Sequence, residues 1–418
     1  MNTQKSRIIG LDLARAVAIV GMTADHFGPA SWAPWMTGWP SILFAFLSGM
    51  SMALMTSRGL ATGVPVPQIR RRIAVRGLIL LVIGILLASA GPDMIIVLST
   101  LGASFLLCTA LVSLSGPTLI ALGTAGTVVL PLLSYWLRQN VFPMTGDELA
   151  VVPRLDHFTS LEGIGVAVRA LLLDGMYPTL TWLPVIVLGM GVMTVGVDGT
   201  KRAIWLFVGA VAAVTSGVFT WVMVTVFDVR PMMMQLMDLP LRDLADATDT
   251  TVFGAWRLFS TSMGSTSSAG DLLLSGAHSG STPDLLLNTG ISLVLVTLCL
   301  WAGDYLGRWA FPLAALGSCA FTVYVGQASV SAAINHWLPD VHDEPGASLL
   351  PLACYLGISL VFCMVWKRYF RRGPLEQAMH TASTWQRRPS AAAPEESPAS
   401  AESGTTAEPA ETTPASTH

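Results

Sequence analysis

The feature that most constrains this chain is the repetition of long apolar stretches that carry almost no charge. About ten stretches have the length of about 20 residues that an α-helix needs to cross a hydrocarbon core of about 30 Å. Of the 418 residues, 52% are hydrophobic and only 12% are charged, whereas soluble domains are about 25% charged. The mean hydropathy is +0.61. The sequence therefore predicts an all-α, polytopic integral membrane helix bundle, with spans near 8–27, 38–57, 73–90, 93–114, 117–136, 178–197, 203–227, 285–303, 309–329 and 347–366.

Basic residues predict the orientation of these spans. Short connections between spans carry an excess of Lys and Arg on the cytoplasmic side. With ten spans, the basic connections all fall on one face, so both termini are expected in the cytoplasm, and the protein is expected in the plasma membrane. The opposite face carries two long loops, near 137–177 and 228–284, where a polar substrate is expected. The basic residues are Lys5, Arg7, Arg58, Arg70, Arg71, Arg72, Arg76, Lys201, Arg202, Arg308, Lys367, Arg368, Arg371 and Arg372.

Composition divides the chain into a membrane domain, residues 1–372, and a tail, residues 373–418. The tail is rich in Pro, Ala, Ser, Thr and Glu, which predicts a disordered cytoplasmic segment. The net charge of −3 says little about partners, and no basic run suggests nucleic-acid binding. The five cysteines show no metal-ligand spacing, so no metal is expected. The lipid bilayer is the expected partner, and the sequence leaves homo-oligomerisation open.

The first span differs from the others because it contains four ionisable residues, Asp12, Arg15, Asp25 and His26. Charged groups in hydrocarbon are costly and normally face a bundle interior or a water-filled cavity. Asp12 can pair with Arg15 across one helical turn. Arg15 and His26 are separated by eleven positions, so they share one helical face and lie roughly 16 Å apart along the axis. One interpretation is a structural ion pair and an interfacial histidine; the other is a polar track in which Asp25 raises the basicity of His26.

Three further features allow both a structural and a functional interpretation. The turn PASWAPWMTGW after the first span has the composition of an interfacial aromatic belt, and it could also stack against a sugar ring. The stretch AHSGS brings His278 and Ser279 to the same side as His26. Gln327 lies deep in a predicted span, where its amide requires a hydrogen-bond partner.

Several of these stretches, taken in order, resemble the transmembrane acyltransferases that include heparan-alpha-glucosaminide N-acetyltransferase and uncharacterised bacterial relatives. The resemblance covers scattered blocks up to about residue 330, and their order carries it more than any single motif. In the turn PASWAPWMTGW the chain lacks the histidine that the animal enzyme has there, and His26 is the nearest substitute. The matching stretches are GLDLARAVAIVGM, FAFLSGMSMAL, RRRIAVRGLILLVIGILL, PDMIIVLSTLGASFLLC, YPTLTWLPVIVLGMGV, AHSGS and PLAALGSCAFTVYVGQ.

The resemblance implies transfer of an acyl group from cytoplasmic acyl-CoA, in the first place acetyl-CoA, to an extracytoplasmic glycan or other polar acceptor. On this hypothesis His26, Asp25 and His278 are the catalytic residues, and Ser279 and Gln327 are polar residues that face the substrate or the bundle. Cationic side chains near the cytoplasmic mouth bind the CoA phosphates, since Arg suits bidentate phosphate contacts. The predicted cofactor-binding residues are Asp12, Arg15, Arg71, Arg72 and Arg76.

Two other classes of protein compete with the acyltransferase hypothesis. A transporter could move a small solute or lipid through the same polar track, although the sequence shows no convincing internal repeat, which many transporters have. A catalytically silent bundle could act as a scaffold for assembly of the cell envelope.

Overall fold

The computed structural model describes residues 8–29, 32–142, 152–230, 240–247, 249, 251–259, 268–338 and 349–385. Within these ranges the regular structure is helical, without strands. Besides short turns, the helices are α1 (Ile9–Phe27), α2 (Trp39–Ala61), α3 (Val66–Ser89), α4 (Leu98–Cys108), α5 (Gly116–Asn140), α6 (Leu161–Arg169), α7 (Thr179–Val195), α8 (Thr200–Thr225), α9 (Leu241–Ala247), α10 (Val252–Phe259), α11 (Thr282–Leu306), α12 (Phe311–Ser318), α13 (Ala320–Trp337), α14 (Leu350–Tyr369) and α15 (Pro374–Thr384).

Six spans in the described ranges are long and apolar enough to cross a membrane: α2, α3, α5, α8, α14, and α11 taken with α12. They become seven if Leu161–Asp174 and Thr179–Val195, which meet at a bend of 49°, form one broken span. The chain is thus a multi-pass helical membrane protein that contacts a lipid bilayer. The number of ten spans and the cytoplasmic position of both termini remain predictions. Three of the ten predicted spans do not have the length and apolar composition that a membrane span requires. Helix α1 holds three charged residues, α4 has only 11 residues, and α13 is interrupted by polar side chains.

Helix α1 lies at the centre of the bundle. It packs against α2, α11, α12, α13 and α14, and the side chains of Ala14, Ala18 and Ile19 have no exposed surface. The close approach of α1 to its neighbouring helices depends on small residues, as is usual between membrane helices. A methyl group on Gly317 of α12 would collide with the Asp12 carbonyl oxygen, and one on Gly10 would meet the backbone of α11 at Leu300. The one helix that is too polar for lipid is therefore enclosed by protein.

The predicted boundary at residue 373 falls before a helix that packs on the bundle. Residues 374–384 form α15, which contacts α3 and α13. Its Ser383 is buried and accepts a 3.3 Å hydrogen bond from Arg76 Nε. The predicted disorder of the rest of the tail concerns residues 386–418, which lie outside the described ranges.

Helices α2 and α7 provide a test of the packing. A methyl group on Gly49 would collide with the Ile186 carbonyl oxygen, whereas one on Gly357 of α14 would meet open space. Overpacking typically costs about 1–3 kcal/mol, so we expect Gly49→Ala to lower the melting temperature of the purified protein. Gly357→Ala is the matched control and should leave it unchanged or raise it, because alanine favours a helix over glycine by about 1 kcal/mol. Equal melting temperatures for the two variants would contradict the close contact.

Candidate functional site

The inner part of the candidate site begins with the predicted ion pair in α1. Arg15 Nη1 lies 2.7 Å from Asp12 Oδ1, and Arg15 Nη2 donates a hydrogen bond of 2.7 Å to the Ser51 hydroxyl on α2. Asp12 is buried, while the side chain of Arg15 keeps 24% of its surface exposed. The guanidinium therefore holds its carboxylate partner and still reaches an open space.

That space is a cavity of about 230 Å³ enclosed by α1, α2, α3, α4, α12, α13 and α15. Its walls are mostly apolar, with methionine, leucine and phenylalanine side chains. The charged side chains in its lining are Arg15, Arg76 and Glu376, and the hydroxyls of Ser48, Ser51 and Ser318 add polar positions. A narrow chamber with cations and apolar walls suits an anionic group attached to an extended organic chain.

The four predicted arginines do not contribute equally to this cavity. Arg76 lines it, whereas Arg71 is exposed and is not part of its lining. Arg72, Arg76 and Arg372 surround His380 on α15: burial first, and then the charges of Arg372, Arg76 and Arg72, lower the pKa of His380. The positive charges of Arg72, Arg76 and Arg372 thus lie near α15, which borders the cavity.

Glu376 is a functional candidate that the sequence analysis missed. Helix α13 begins at a break after α12, which leaves its first backbone N–H groups without helical partners. The Glu376 carboxylate accepts hydrogen bonds from the N–H groups of Phe321 (2.8 Å) and Thr322 (3.2 Å) and one of 2.6 Å from the Thr322 hydroxyl. An acid that follows a basic run and opens a short helix, as in RRGPLEQ, is the signal that could have pointed to it.

The outer part of the candidate site lies at the other end of α1. His26 Nδ1 lies 2.9 Å from the Gln327 side-chain nitrogen, and the Thr23 hydroxyl lies 3.2 Å from the Gln327 side-chain oxygen. Gln327 has no exposed surface. The structure therefore brings together two predicted residues that are 301 positions apart.

The hydrogen count in this group selects one orientation of the Gln327 amide. The Thr23 hydroxyl has a single hydrogen and already donates it to the Ile19 carbonyl at 2.8 Å, so toward Gln327 it can only accept. An amide with its N–H toward Thr23 and its oxygen toward His26 gives these three side chains compatible donors and acceptors, and it gives up only the 3.4 Å hydrogen bond from the Gln327 nitrogen to the Met22 carbonyl. His26 Nδ1 then carries the hydrogen, and its Nε2 has a free lone pair, as a general base requires.

The Asp25 carboxylate is hydrogen-bonded to Thr37. Helix α1 ends at Phe27, yet the Asp25 carboxylate accepts its 2.6 Å hydrogen bond from the Thr37 hydroxyl. This bond ties the end of α1 to the turn that leads into α2. Asp25 and His26 still interact electrostatically, so Asp25 acts on His26 through charge, and its hydrogen bond has a positioning role.

His278 is buried, with 5% of its surface exposed, in a loop that leads into α11. Its ring lies edge-on to Tyr177 at 5.1 Å and parallel to Trp182 at 6.5 Å. Burial first, and then the charge of His26, lower the pKa of His278 to about 4. Its Nδ1 has no hydrogen-bond partner among the described residues, and such a buried polar atom costs about 1–3 kcal/mol unless a ligand or water meets it.

The AHSGS loop is held rigidly. His278 and Gly280 both adopt positive φ angles, +62° and +63°, and a methyl group on Gly280 would press against Thr181. The predicted residue Ser279 donates to the Ser281 hydroxyl at 3.1 Å, and Ser281 caps α11 by accepting from the Asp284 N–H at 3.1 Å. Ser279 is thus tied into the helix cap.

Two tyrosines that the sequence analysis did not single out, Tyr177 and Tyr324, contact other residues of the candidate site. Tyr177 contacts His278 and interacts electrostatically with Tyr324 and Asp25. Tyr324 precedes Gln327 by three positions, so the two share a helical face; this spacing could have identified it. The Tyr324 ring stacks on Phe44 at 6.2 Å, and Phe44 also lines the inner cavity. The Phe44–Tyr324 contact therefore joins the wall of the inner cavity to α13, the helix that carries Gln327.

Loss of the Glu376 cap should destabilise the break between α12 and α13. We expect Glu376→Ala to lower the free energy of unfolding by roughly 1–3 kcal/mol, since backbone N–H groups lose a charged acceptor. Gln377→Ala, an exposed change on the same helix, is the matched control. Thermal unfolding of the two variants in one detergent checks the prediction, and a Glu376→Ala melting temperature equal to that of the control would contradict it.

The low pKa of His278 predicts a pH dependence of stability. The folded protein takes up this proton only near pH 4, whereas the unfolded chain takes it up near pH 6.5. The His278 contribution is therefore complete above about pH 6.5 and is lost as the pH falls toward 4. Asparagine tolerates positive φ, so we expect His278→Asn to flatten the melting temperature between pH 6.5 and 4. An unchanged slope in that window would rule out a neutral, buried His278.

Comparison with known proteins finds a family model that is similar to part of the chain. Residues 251–386, about a third of the chain, match the family model described as "Protein of unknown function (DUF418)". This region includes His278, Gln327 and Glu376 but not α1. No curated protein matches the chain. Residues 251–386 of this multi-span helical membrane protein are therefore similar to a family whose function is unknown.

Proposed function

We propose that this protein is a membrane-embedded acyltransferase that takes an acyl group from cytoplasmic acyl-CoA, in the first place acetyl-CoA, and transfers it to a glycan or other polar acceptor on the opposite side. The observation that carries the proposal is the pair of polar sites at the two ends of α1. One is a cavity with Arg15 and Arg76 in its lining, and the other is the His26–Gln327 group.

The inner cavity supplies a donor site. Arg76 and the neighbouring Arg72 and Arg372 suit phosphate groups, because guanidinium binds phosphate oxygens in bidentate fashion. The apolar walls, with Met52, Met55 and Phe105, suit the extended arm that carries the thioester. Arg15, deeper in the cavity and fixed by Asp12 and Ser51, orients the donor.

The outer group supplies the chemistry of transfer. His26 Nε2 takes the proton of the acceptor hydroxyl or amine while the acceptor oxygen or nitrogen attacks the thioester carbonyl carbon. The bond between that carbon and sulfur breaks, and CoA leaves as a thiolate that is then protonated. The neutral His278, with its unpaired Nδ1, hydrogen-bonds the acceptor.

Replacement of His26 tests the proposal. General-base catalysis typically contributes 10²–10⁴-fold, so we expect His26→Ala to lower transfer of labelled acetyl from acetyl-CoA to acceptors in membrane vesicles by about 100-fold or more. His336→Ala, an exposed histidine on α13, is the control and should retain activity. Undiminished transfer by His26→Ala, or no CoA-dependent labelling by the wild-type protein, would refute the proposal.

We expect Arg15 to contribute to binding of the acyl donor and not to binding of the acceptor. We expect Arg15→Gln to raise the KM for acetyl-CoA with a smaller effect on kcat, because its charge contributes mainly to binding. Arg58→Gln, at an exposed position at the end of α2, is the matched control. A change confined to the acceptor KM would contradict a donor site in the inner cavity.

A transporter is the second candidate, and two breaks in the helices favour it. The chain bends by 49° between Leu161–Asp174 and Thr179–Val195, and α12 and α13 are separated at Cys319. Transporter binding sites are often built from such discontinuous helices. The same vesicle assay discriminates: a transporter moves its solute without CoA and leaves no acyl group on any acceptor.

A further inference from the structure

A second cavity, distinct from the inner cavity, lies where α1 begins and where α11 and α14 end. It has a volume of about 720 Å³, within the range of about 300–1,000 Å³ that is typical of small-molecule sites. Ile9, Phe311, Ala314 and Ala315 form much of its wall. We refer to it as the α12 cleft, because α12 supplies three of these four residues.

Charged and aromatic side chains line the α12 cleft beside its apolar wall. Arg308 and Lys367 are both part of its lining, and the Arg308 guanidinium lies 5.4 Å from the centre of the Trp309 ring. Trp309 keeps 76% of its surface exposed although it is a large apolar residue. Tryptophan and basic residues at helix ends are typical of the membrane–water interface.

Asp12 is the acidic residue in the lining of the α12 cleft. Its carboxylate is 2.7 Å from Arg15 Nη1, and its side chain is only 3% exposed. Arg308 and Lys367 are two cations against this one carboxylate in the lining, which gives the α12 cleft a net positive character. The Lys367 ammonium also donates a hydrogen bond to the Arg371 carbonyl.

We propose that the α12 cleft binds an anionic phospholipid, with the phosphate of the headgroup at Arg308 and Lys367 and an acyl chain along Phe311, Ala314 and Ala315. The combination of charge and apolar wall carries this choice. A small phosphate ion would gain nothing from the apolar wall, and a zwitterionic lipid would gain less from the two cations. The site does not depend on acyl transfer by the protein.

Lipid association with the full-length protein tests the site. The protein is reconstituted in phosphatidylcholine vesicles that contain a trace of spin-labelled phosphatidylglycerol or spin-labelled phosphatidylcholine, and the motionally restricted fraction of each probe is measured. The wild-type protein should prefer phosphatidylglycerol. A basic residue near a membrane contributes about 1 kcal/mol, or about fivefold, so Arg308→Gln and Lys367→Gln should each reduce the preference about fivefold.

Two further variants separate the α12 cleft from general surface charge. Arg70→Gln removes an exposed cation that is not part of the lining and should leave the preference unchanged. Ala314→Leu adds volume to the wall without changing charge and should reduce the restricted fraction of phosphatidylglycerol. This variant also keeps the proposal falsifiable if a charge variant does not fold.

Three results would overturn the proposal. The first is equal association of the two lipids with the wild-type protein. The second is a loss of preference in Arg70→Gln as large as in Arg308→Gln. The third is displacement of the bound phosphatidylglycerol by adenosine 3′,5′-bisphosphate, which would assign the α12 cleft to a soluble nucleotide and not to a lipid.

Discussion

The need to satisfy polar groups away from water governs this structure, and α1 is where that need is greatest. Hydrocarbon offers no hydrogen bonds, so each polar side chain of a membrane helix requires a protein partner. Arg15 finds Asp12 and Ser51, and His26 finds Gln327. Ser51 and Gln327 lie on α2 and α13, so neighbouring helices satisfy polar side chains that α1 could not satisfy alone.

Two polar environments lie at the two ends of α1. Arg15, Arg76 and Glu376 are the charged side chains in the lining of the inner cavity, whereas the other end holds the His26–Gln327 pair and the Asp25–Thr37 pair. The Phe44 ring lines the inner cavity and stacks on Tyr324, which shares α13 with Gln327. Tyr324 is also held by its hydroxyl, which accepts a 3.2 Å hydrogen bond from the Val97 N–H.

The break between α12 and α13 links the inner cavity to the C-terminal helix. Ser318 and Phe321, on either side of the break, line the inner cavity, as does Glu376. Because Glu376 replaces the missing helical partners of Phe321 and Thr322, the geometry of the cavity depends on where α15 docks. A helix outside the apolar spans thus helps to shape a site inside them.

The sequence by itself determined the class of the protein, since long uncharged stretches can only be stable as helices in a bilayer. It also determined that α1 is buried, and it predicted the Asp12–Arg15 pair, because residues three positions apart on a helix are neighbours. The partners of Asp25, His26 and His278 could not be predicted. They lie on segments that are distant in sequence, and a local pattern carries no information about which helices pack together. Tertiary structure alone decided that Gln327 orients His26, that Thr37 and not His26 holds Asp25, and that Glu376 borders the cavity, since each depends on the close packing of helices at small residues.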